Sequence, residues 1–518
     1  MKRRFWMTLV SLVVVMAMLL SACGPGGGTA PGAADGTAPA GQAGERDTIV
    51  IANTVDIDGL DPQQTSSLFS MMMVTQIFDT LVRGDAQGNL NPQLAESWER
   101  ADDGMSYTFN LRRGVLFHNG DELTASDVVF SVERGMASPF AGAIFGPVAG
   151  AEALDEYTVR IDLRFEYGPF LSAMSAPLAS IVNQRAVEAY GDEFMRNPVG
   201  TAAYQFVSWD PGDRVVVRAF DGWHGGRAPI ENLIWRVLPD PTTAVIALEN
   251  GEIDLLLSVP PAARQNILDN ANLEIYEIAS HRHHYIGFNT EMGVFSDVRV
   301  RQAVAKAIDR EGMTLVASEG MGQVAINHLA PTIFGFTDTV QWYERNIDAA
   351  RELLTLAGLE GGFNIRVICM DGEGRNIAQV LQDNLNALNI STSIEVMDRA
   401  ALVELGRNGD FDIIVFTWST PVPDADYTLN FLFHSNMINA MNYSRFNNPE
   451  MDRLIEQGAA SSDTATRLAL YAQALQLLKD EVPTIPIYFE TVSIAANRDL
   501  RNVTPSPSST YYFYELSW

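Results

Sequence analysis

From residue 297 onward, short uninterrupted apolar runs alternate with segments of helical period. Asp297 suits an N-cap for a helix over Val298–Asp309, in which Val300, Val304, Ala307 and Ile308 share one face. Asp348–Ala357 reads as a helix closed by Gly358. Ile365–Met370 is a buried strand, and Asn376–Leu388 is a helix with Ile377, Val380, Leu381, Leu385 and Leu388 on one side. Phe411–Phe416 is a second buried strand and Arg467–Lys479 a further helix. Pro483–Phe489 reads as a strand returning to the first half. Near-continuous apolar strands separated by helices belong to a sheet covered on both faces, so this half is α/β.

The first half carries shorter signals. Thr48–Ala52, Ser106–Leu111, Thr158–Leu163, Arg214–Ala219 and Leu233–Val237 read as strands. Asp240–Asn250 is helical, with Gly251 as its stop. No repeat of fixed period is present, which argues against a solenoid or propeller. A length of 518 residues suggests roughly three units of about 150 residues each. With 64 acidic against 35 basic residues the net charge is −29. That excess excludes nucleic acid as a partner and disfavours broad docking on anionic lipid.

The N-terminus reads as an export signal. Lys2, Arg3 and Arg4 precede the apolar stretch Phe5–Leu20, which is too short to be a good bilayer span. Leu20-Ser21-Ala22-Cys23-Gly24 follows, and resembles the bacterial lipoprotein signal, in which cleavage leaves the cysteine as a lipid-bearing N-terminus. An ordinary signal peptide with a chance cysteine is the alternative. Residues 1–22 are then the signal, with acyl chains on Cys23 holding the protein on a membrane face. Residues 23–45, rich in Gly, Ala, Pro and Thr, form a flexible tether. No later segment is long and apolar enough to span a bilayer, so the body is expected to be extracytoplasmic.

Catalytic patterns are absent. There is no GxSxG, HExxH, GxxxxGK[ST] or complete GxGxxG. The other cysteine, Cys369, lies in an apolar run and reads as a small buried hydrophobe. The richest titratable cluster is His281-Arg282-His283-His284. On a strand, His281, His283 and Tyr285 share a face. Metal binding there is conceivable, but no third ligand stands at a suggestive spacing, and neither metal nor cofactor is expected. Two polar stretches follow apolar runs: Asn53-Thr54-Val55-Asp56, and Thr417-Trp418-Ser419-Thr420. Ligands of open α/β sheets collect beyond the carboxyl ends of strands, so both are candidate contacts. Core packing is the plain alternative for Trp418.

Several longer segments then point one way. Asn91-Pro92-Gln93-Leu94-Ala95-Glu96-Ser97-Trp98 leads through Asp103-Gly104 and Tyr107–Gly114 to Phe117-His118-Asn119-Gly120 and Ala125-Ser126-Asp127-Val128. Asn197–Tyr204, Gly251-Glu252-Ile253-Asp254, Gly287-Phe288-Asn289, Asp297–Val304 and Ala307–Arg310 continue the series. Over about residues 47–495 the chain resembles the family 5 extracellular solute-binding proteins of ABC importers, which bind dipeptides, oligopeptides, nickel or opines.

The resemblance implies the two-lobed α/β fold of periplasmic binding proteins, joined by a hinge of two crossing strands. It places lobe 1 at 46–283 and 490–518, with an extra subdomain near 63–198, and lobe 2 at 284–489. Pro483–Phe489 and His283–Asn289 become the crossing strands, and Tyr285 and Asn289 join the candidate ligand contacts. Residue by residue, Asn53, Thr54, Val55 and Asp56 match a cleft-lining segment of peptide binders. Arg375, just before the helix Asn376–Leu388, matches the position of an Arg that holds a peptide carboxylate. Thr417, Trp418 and Ser419 lie where the peptide amino group is held. The family's aspartate three residues after this Trp is replaced by Pro421, which leaves Asp424 or Asp426 to take an ammonium, or a ligand without one. The expected function is capture of short peptides for an ABC permease and its ATPase, by a lipid-anchored monomer without catalysis. Another solute (nickel chelate, opine, sugar or amine) is the alternative. A signalling receptor, a chaperone or an extracellular hydrolase are more remote ones.

Overall fold

The computed structural model describes residues 46–65, 67–85 and 89–518. The expected signal, Cys23 and tether lie outside the described residues. Two long strands, Leu273–Phe288 and Thr484–Asn497, pair antiparallel at the centre of an 11-stranded sheet. On one side of them lie Leu255–Leu256, Thr48–Asn53, Asn232–Val237, Arg214–Ala219 and Tyr204–Asp210, in that spatial order. On the other lie Ile413–Ser419, Asn364–Cys369 and Ser391–Val396. Each wing has its own core. Ile49, Ile51, Val215, Leu233, Trp235 and Leu255 anchor the first, while Ile286, Phe288, Val367, Ile413 and Ile485 anchor the second. These wings are the two lobes.

Both long strands extend well beyond the apolar runs seen in the sequence. Polar residues at Ser280–His284 and Glu490 break the hydrophobic pattern there, which hides the continuity of the backbone. Pairing is also irregular at that point. Ala279 faces Thr491, yet His283 faces Phe489, so Ser280–Arg282 bulge out against a single residue, and a second shift follows at Tyr285 opposite Pro486. Bulges bend and twist a strand locally, which gives the crossing a natural hinge.

A separate four-stranded antiparallel sheet lies within the first half. Its order is Ala95–Arg100, Ser106–Leu111, Thr158–Leu163, Val148–Ala153. The helix Ala125–Ala137, started by a Thr124/Asp127 capping box, covers it. Alternation explains this core: Tyr107, Phe109 and Leu111 face inward from one strand and Val159, Ile161 and Leu163 from the next. Val422 of lobe 2 packs into the same core.

In lobe 2 the helix expected over Val298–Asp309 stops at Ala307, and a second begins at Arg310 with Asp309 as its cap. Arg301 on that first helix is buried, and its guanidinium donates to the carbonyls of Phe295, Ser296, Glu481 and Val482. It thereby ties the helix to the end of Thr464–Glu481. The helix expected from Asn376 begins earlier, at Glu373, because Gly372 at φ 72° turns the chain directly out of the strand Asn364–Cys369. Arg375 therefore stands in the first helical turn rather than ahead of it. Thr417, Trp418 and Ser419 likewise belong to the strand Ile413–Ser419 rather than following it.

Candidate functional site

The subdomain sheet meets lobe 2 through the turn after its strand Thr158–Leu163. There the Gly168 N–H donates to the Ala459 carbonyl at 2.5 Å, and the Tyr167 hydroxyl donates to Asp426 Oδ2 at 2.9 Å. A cavity of about 430 Å³ opens beside this contact. Phe165 and Tyr167 line it from the subdomain, and Tyr427, Phe431, Asp426, Asn430 and His434 from lobe 2. Behind Tyr427 and Phe431 stands Trp418, whose ring lies 5.7 and 5.9 Å from theirs. The Trp418 indole N–H donates to Thr428 at 3.2 Å. The Trp thus supports the aromatic wall from behind and is half-buried against the lobe 2 core.

A second cavity, of about 220 Å³, lies nearer the hinge. His281 and Ile494 of the long strands, Pro421 and Thr332 of lobe 2, and Arg83 line it, with the C-terminal segment from Asn502 to Leu516 forming one side. That segment is pinned by the Pro507 carbonyl, which accepts from the His281 backbone N–H at 2.9 Å, and by the Tyr511 carbonyl, which accepts from Thr75 and Gln76. Sequence reasoning missed this wall, because 505–510 reads as a polar, Pro-rich terminus.

Asp424 and Asp426 have different roles, although both are buried. Asp424 caps the helix Ala425–Phe433 and accepts two hydrogen bonds from Arg467, both at 2.8 Å. Arg467 is itself buried, packed on Phe334 and Tyr471. A carboxylate engaged this way is a structural element, which removes Asp424 from the candidate ammonium ligands. Asp426 lines the cavity and accepts from the Tyr167 hydroxyl. Burial, reinforced by the neighbouring Asp424 charge, pushes its carboxyl up to about 7. Between the ordinary carboxylate range and pH 7 the folded chain therefore holds a proton that the unfolded chain has released, so stability falls as pH rises through that window. Asp426→Asn copies the protonated form. It is expected to flatten this dependence, raising stability at pH 8 by at least about 1.4 kcal/mol and leaving it unchanged at pH 4. Denaturant titrations at the two pH values measure both.

Other candidates are more dispersed. Asn53 is buried at the end of its strand, and Asp56 turns to the 210–213 hairpin, accepting from the Gly212 N–H at 2.7 Å. Thr54 and the exposed Val55 lie beside them. None of these four lines either cavity. Asn289 does not reach the cleft: its amide donates to the Gly409 and Phe411 carbonyls and fixes the far end of the long strand. Tyr285 is buried in the lobe 2 core against Phe416. Both expectations are corrected by the same fact, that the long strand has left the hinge and entered the lobe interior by residue 285. Arg375 is half-exposed, with Nε 3.2 Å from Asp371 Oδ1, and lines neither cavity. The His281 ring meets the Thr332 hydroxyl, and the His283 ring lies against His328 and Phe489. Burial lowers His281 to about 4 and His283 to about 3, so both are neutral at pH 7.

Two lobes, a bulged crossing of two shared strands and an aromatic crevice between bodies define a hinged binding protein. Residues 89–440 match the family described as bacterial extracellular solute-binding proteins, family 5, and the chain belongs to it. It is a solute-binding protein of the ABC-transporter type with the periplasmic-binding-protein fold. It is 28% identical to heme-binding protein A of Haemophilus influenzae over 85% of this chain and 87% of that one. It is 27% identical to di/tripeptide-binding protein 1 of Pseudomonas aeruginosa over 89% and 92%. Among solved structures it is similar to HbpA2 from Haemophilus parasuis, with a TM-score of 0.85, 26% identity, and coverage of 91% and 99%. The two sequence relatives are named as binding proteins, not as enzymes.

Proposed function

We propose that the chain captures a short peptide between its lobes and delivers it to a membrane permease, without catalysis. The observation that carries this reading is the 430 Å³ crevice, with an aromatic wall and few polar anchors, set where two bodies meet. Its size and lining suit a small, partly apolar ligand. The likeness to a di/tripeptide-binding protein along nearly the whole chain supports the same class. Lobe closure is favoured only by contacts that both bodies make with one ligand, and this crevice offers both. Within this reading the lobe boundaries fall at the bulge near residues 280–283 and at Glu490. Asp426 receives the ligand's ammonium, since Pro421 carries no charge. Arg375, exposed at a helix N-terminus, receives a carboxylate by closing toward the ligand.

Mass spectrometry of ligand co-purified with the protein tests the class directly. A short peptide supports it, and a metal chelate, sugar or heme overturns it. With that peptide in hand, Arg375→Ala is expected to weaken binding by about 1.5–3 kcal/mol, the scale of a hydrogen bond to a charged group. Unchanged affinity by calorimetry removes Arg375 from the site. We further propose that Cys23 carries the lipid anchor that tethers a monomer to the membrane. Cys23→Ser is then expected to release the protein into the soluble fraction with ligand affinity intact, and retention on membranes overturns the anchor.

A further inference from the structure

One titratable cluster lies apart from both cavities. His284 projects from the first long strand on the face opposite His283, and its ring stacks on Tyr488 with centroids 4.4 Å apart and planes 13° from parallel. That ring is almost fully buried, at 1% exposure, and is held in one orientation. Its Nε2 points at two carboxylates brought by two other elements. Glu490 Oε1, from the second long strand, is 2.8 Å away, and Glu373 Oε2, from the first turn of the helix Glu373–Asn386, is 3.6 Å away. The three ligand atoms all lie within 4.8 Å of one another. Residue spacing alone did not disclose these two partners, because they lie about 90 and 200 residues further along the chain.

We propose that His284, Glu373 and Glu490 form a binding site for a divalent transition-metal cation at the crossing of the two strands. A cation about 2.0–2.2 Å from one nitrogen and two carboxylate oxygens holds those atoms roughly 3–3.6 Å apart. The Glu373 distance already fits; the Glu490 contact has to open by a few tenths of an ångström and give up the proton it shares with Nε2, and the two carboxylate oxygens, within 4.8 Å of each other, have to close on the ion. One imidazole with two carboxylates suits Zn²⁺, Ni²⁺ or Mn²⁺ better than a purely oxygen-seeking cation. Glu373 is half-exposed and Glu490 partly so, which gives the ion an entry path and leaves positions for water. Arg282 competes: its Nε lies 3.1 Å from Glu490 Oε1. It is 43% exposed and free to swing into solvent when a cation arrives. A divalent cation balances the charge of the two carboxylates brought together here. Once bound, it links both crossing strands to the helix that carries Arg375, and so bears on the hinge whatever solute the crevice takes.

The test uses the mature full-length protein, stripped with EDTA and titrated calorimetrically with ZnCl₂, NiCl₂ and MnCl₂, with thermal denaturation in parallel. One saturable equivalent and a raised melting temperature are expected for at least one of the three. Glu373→Gln and Glu490→Gln, both at accessible positions, are each expected to weaken binding at least about tenfold with the apo melting temperature unchanged. Equal affinity in wild type and both variants, or no saturable binding below about 1 mM, overturns the site.

Discussion

Replacing Arg467 with methionine is expected to destabilise the protein by about 3–5 kcal/mol, the cost of leaving one partner of a buried ion pair alone. Asp424 is 1% exposed, and Arg467 is its one cationic partner among the described residues. The same guanidinium donates to the Gly458 carbonyl and to the Tyr471 hydroxyl, at 3.0 Å each, so the substitution also strands a helix-end carbonyl. The loss is pH-dependent with a definite sign. A neutral Asp424 is cheaper to bury than a charged one, so the deficit shrinks as pH falls. Adding Asp424→Asn removes the orphaned charge and is expected to recover a large part of the loss. Equilibrium denaturation of the single and double variants measures both. A single variant within about 0.5 kcal/mol of wild type at pH 7 contradicts the assignment of this pair as structural.

Gly168→Ala is expected to act on closure rather than on folding. A Cβ at this position falls inside the contact distance of the Ser461 carbonyl oxygen, a backbone atom that cannot rotate away. Relief requires the subdomain and lobe 2 to part. That breaks the Gly168–Ala459 and Tyr167–Asp426 hydrogen bonds, together worth about 2 kcal/mol. Any affinity that depends on this docking should fall roughly thirtyfold. Small-angle scattering should show a wider particle, and less ligand should co-purify. An unchanged scattering profile with unchanged ligand content means that the bodies meet in some other way during capture.

How far the sequence disclosed this molecule depended on whether a signal was local. Asp240 and Asp297 cap their helices because a short side chain before a periodic run accepts from the third or second N–H ahead. The strands Ser106–Leu111, Thr158–Leu163 and Arg214–Ala219 appear at their expected bounds because alternation is a property of six neighbouring residues. The crossing strands were only half legible, since their middle is polar and their partners lie some 200 residues away. For the site, Trp418 and Asp426 were found near the crevice, but the division of labour between Asp424 and Asp426 was invisible. It is set by Arg467, which reads in sequence as an ordinary charge at the start of an exposed helix. Likewise Asn289 belongs to a segment that carries the family resemblance, yet in this chain its amide locks a strand end through the Gly409 and Phe411 carbonyls.

The strand Thr484–Asn497 sits between Leu273–Phe288 and Leu255–Leu256, in the middle of the sheet that both lobes share. Synthesis therefore delivers a central stave last. Until that segment emerges, Leu255–Leu256 and the first long strand each lack one of their two neighbours, and the first lobe cannot complete its core through Ile494 and Ala496. A chain of this topology cannot complete the shared sheet until residues 484–497 are available. Native pairing is then a whole-chain event with large sequence separation, slow in the manner of all such pairings.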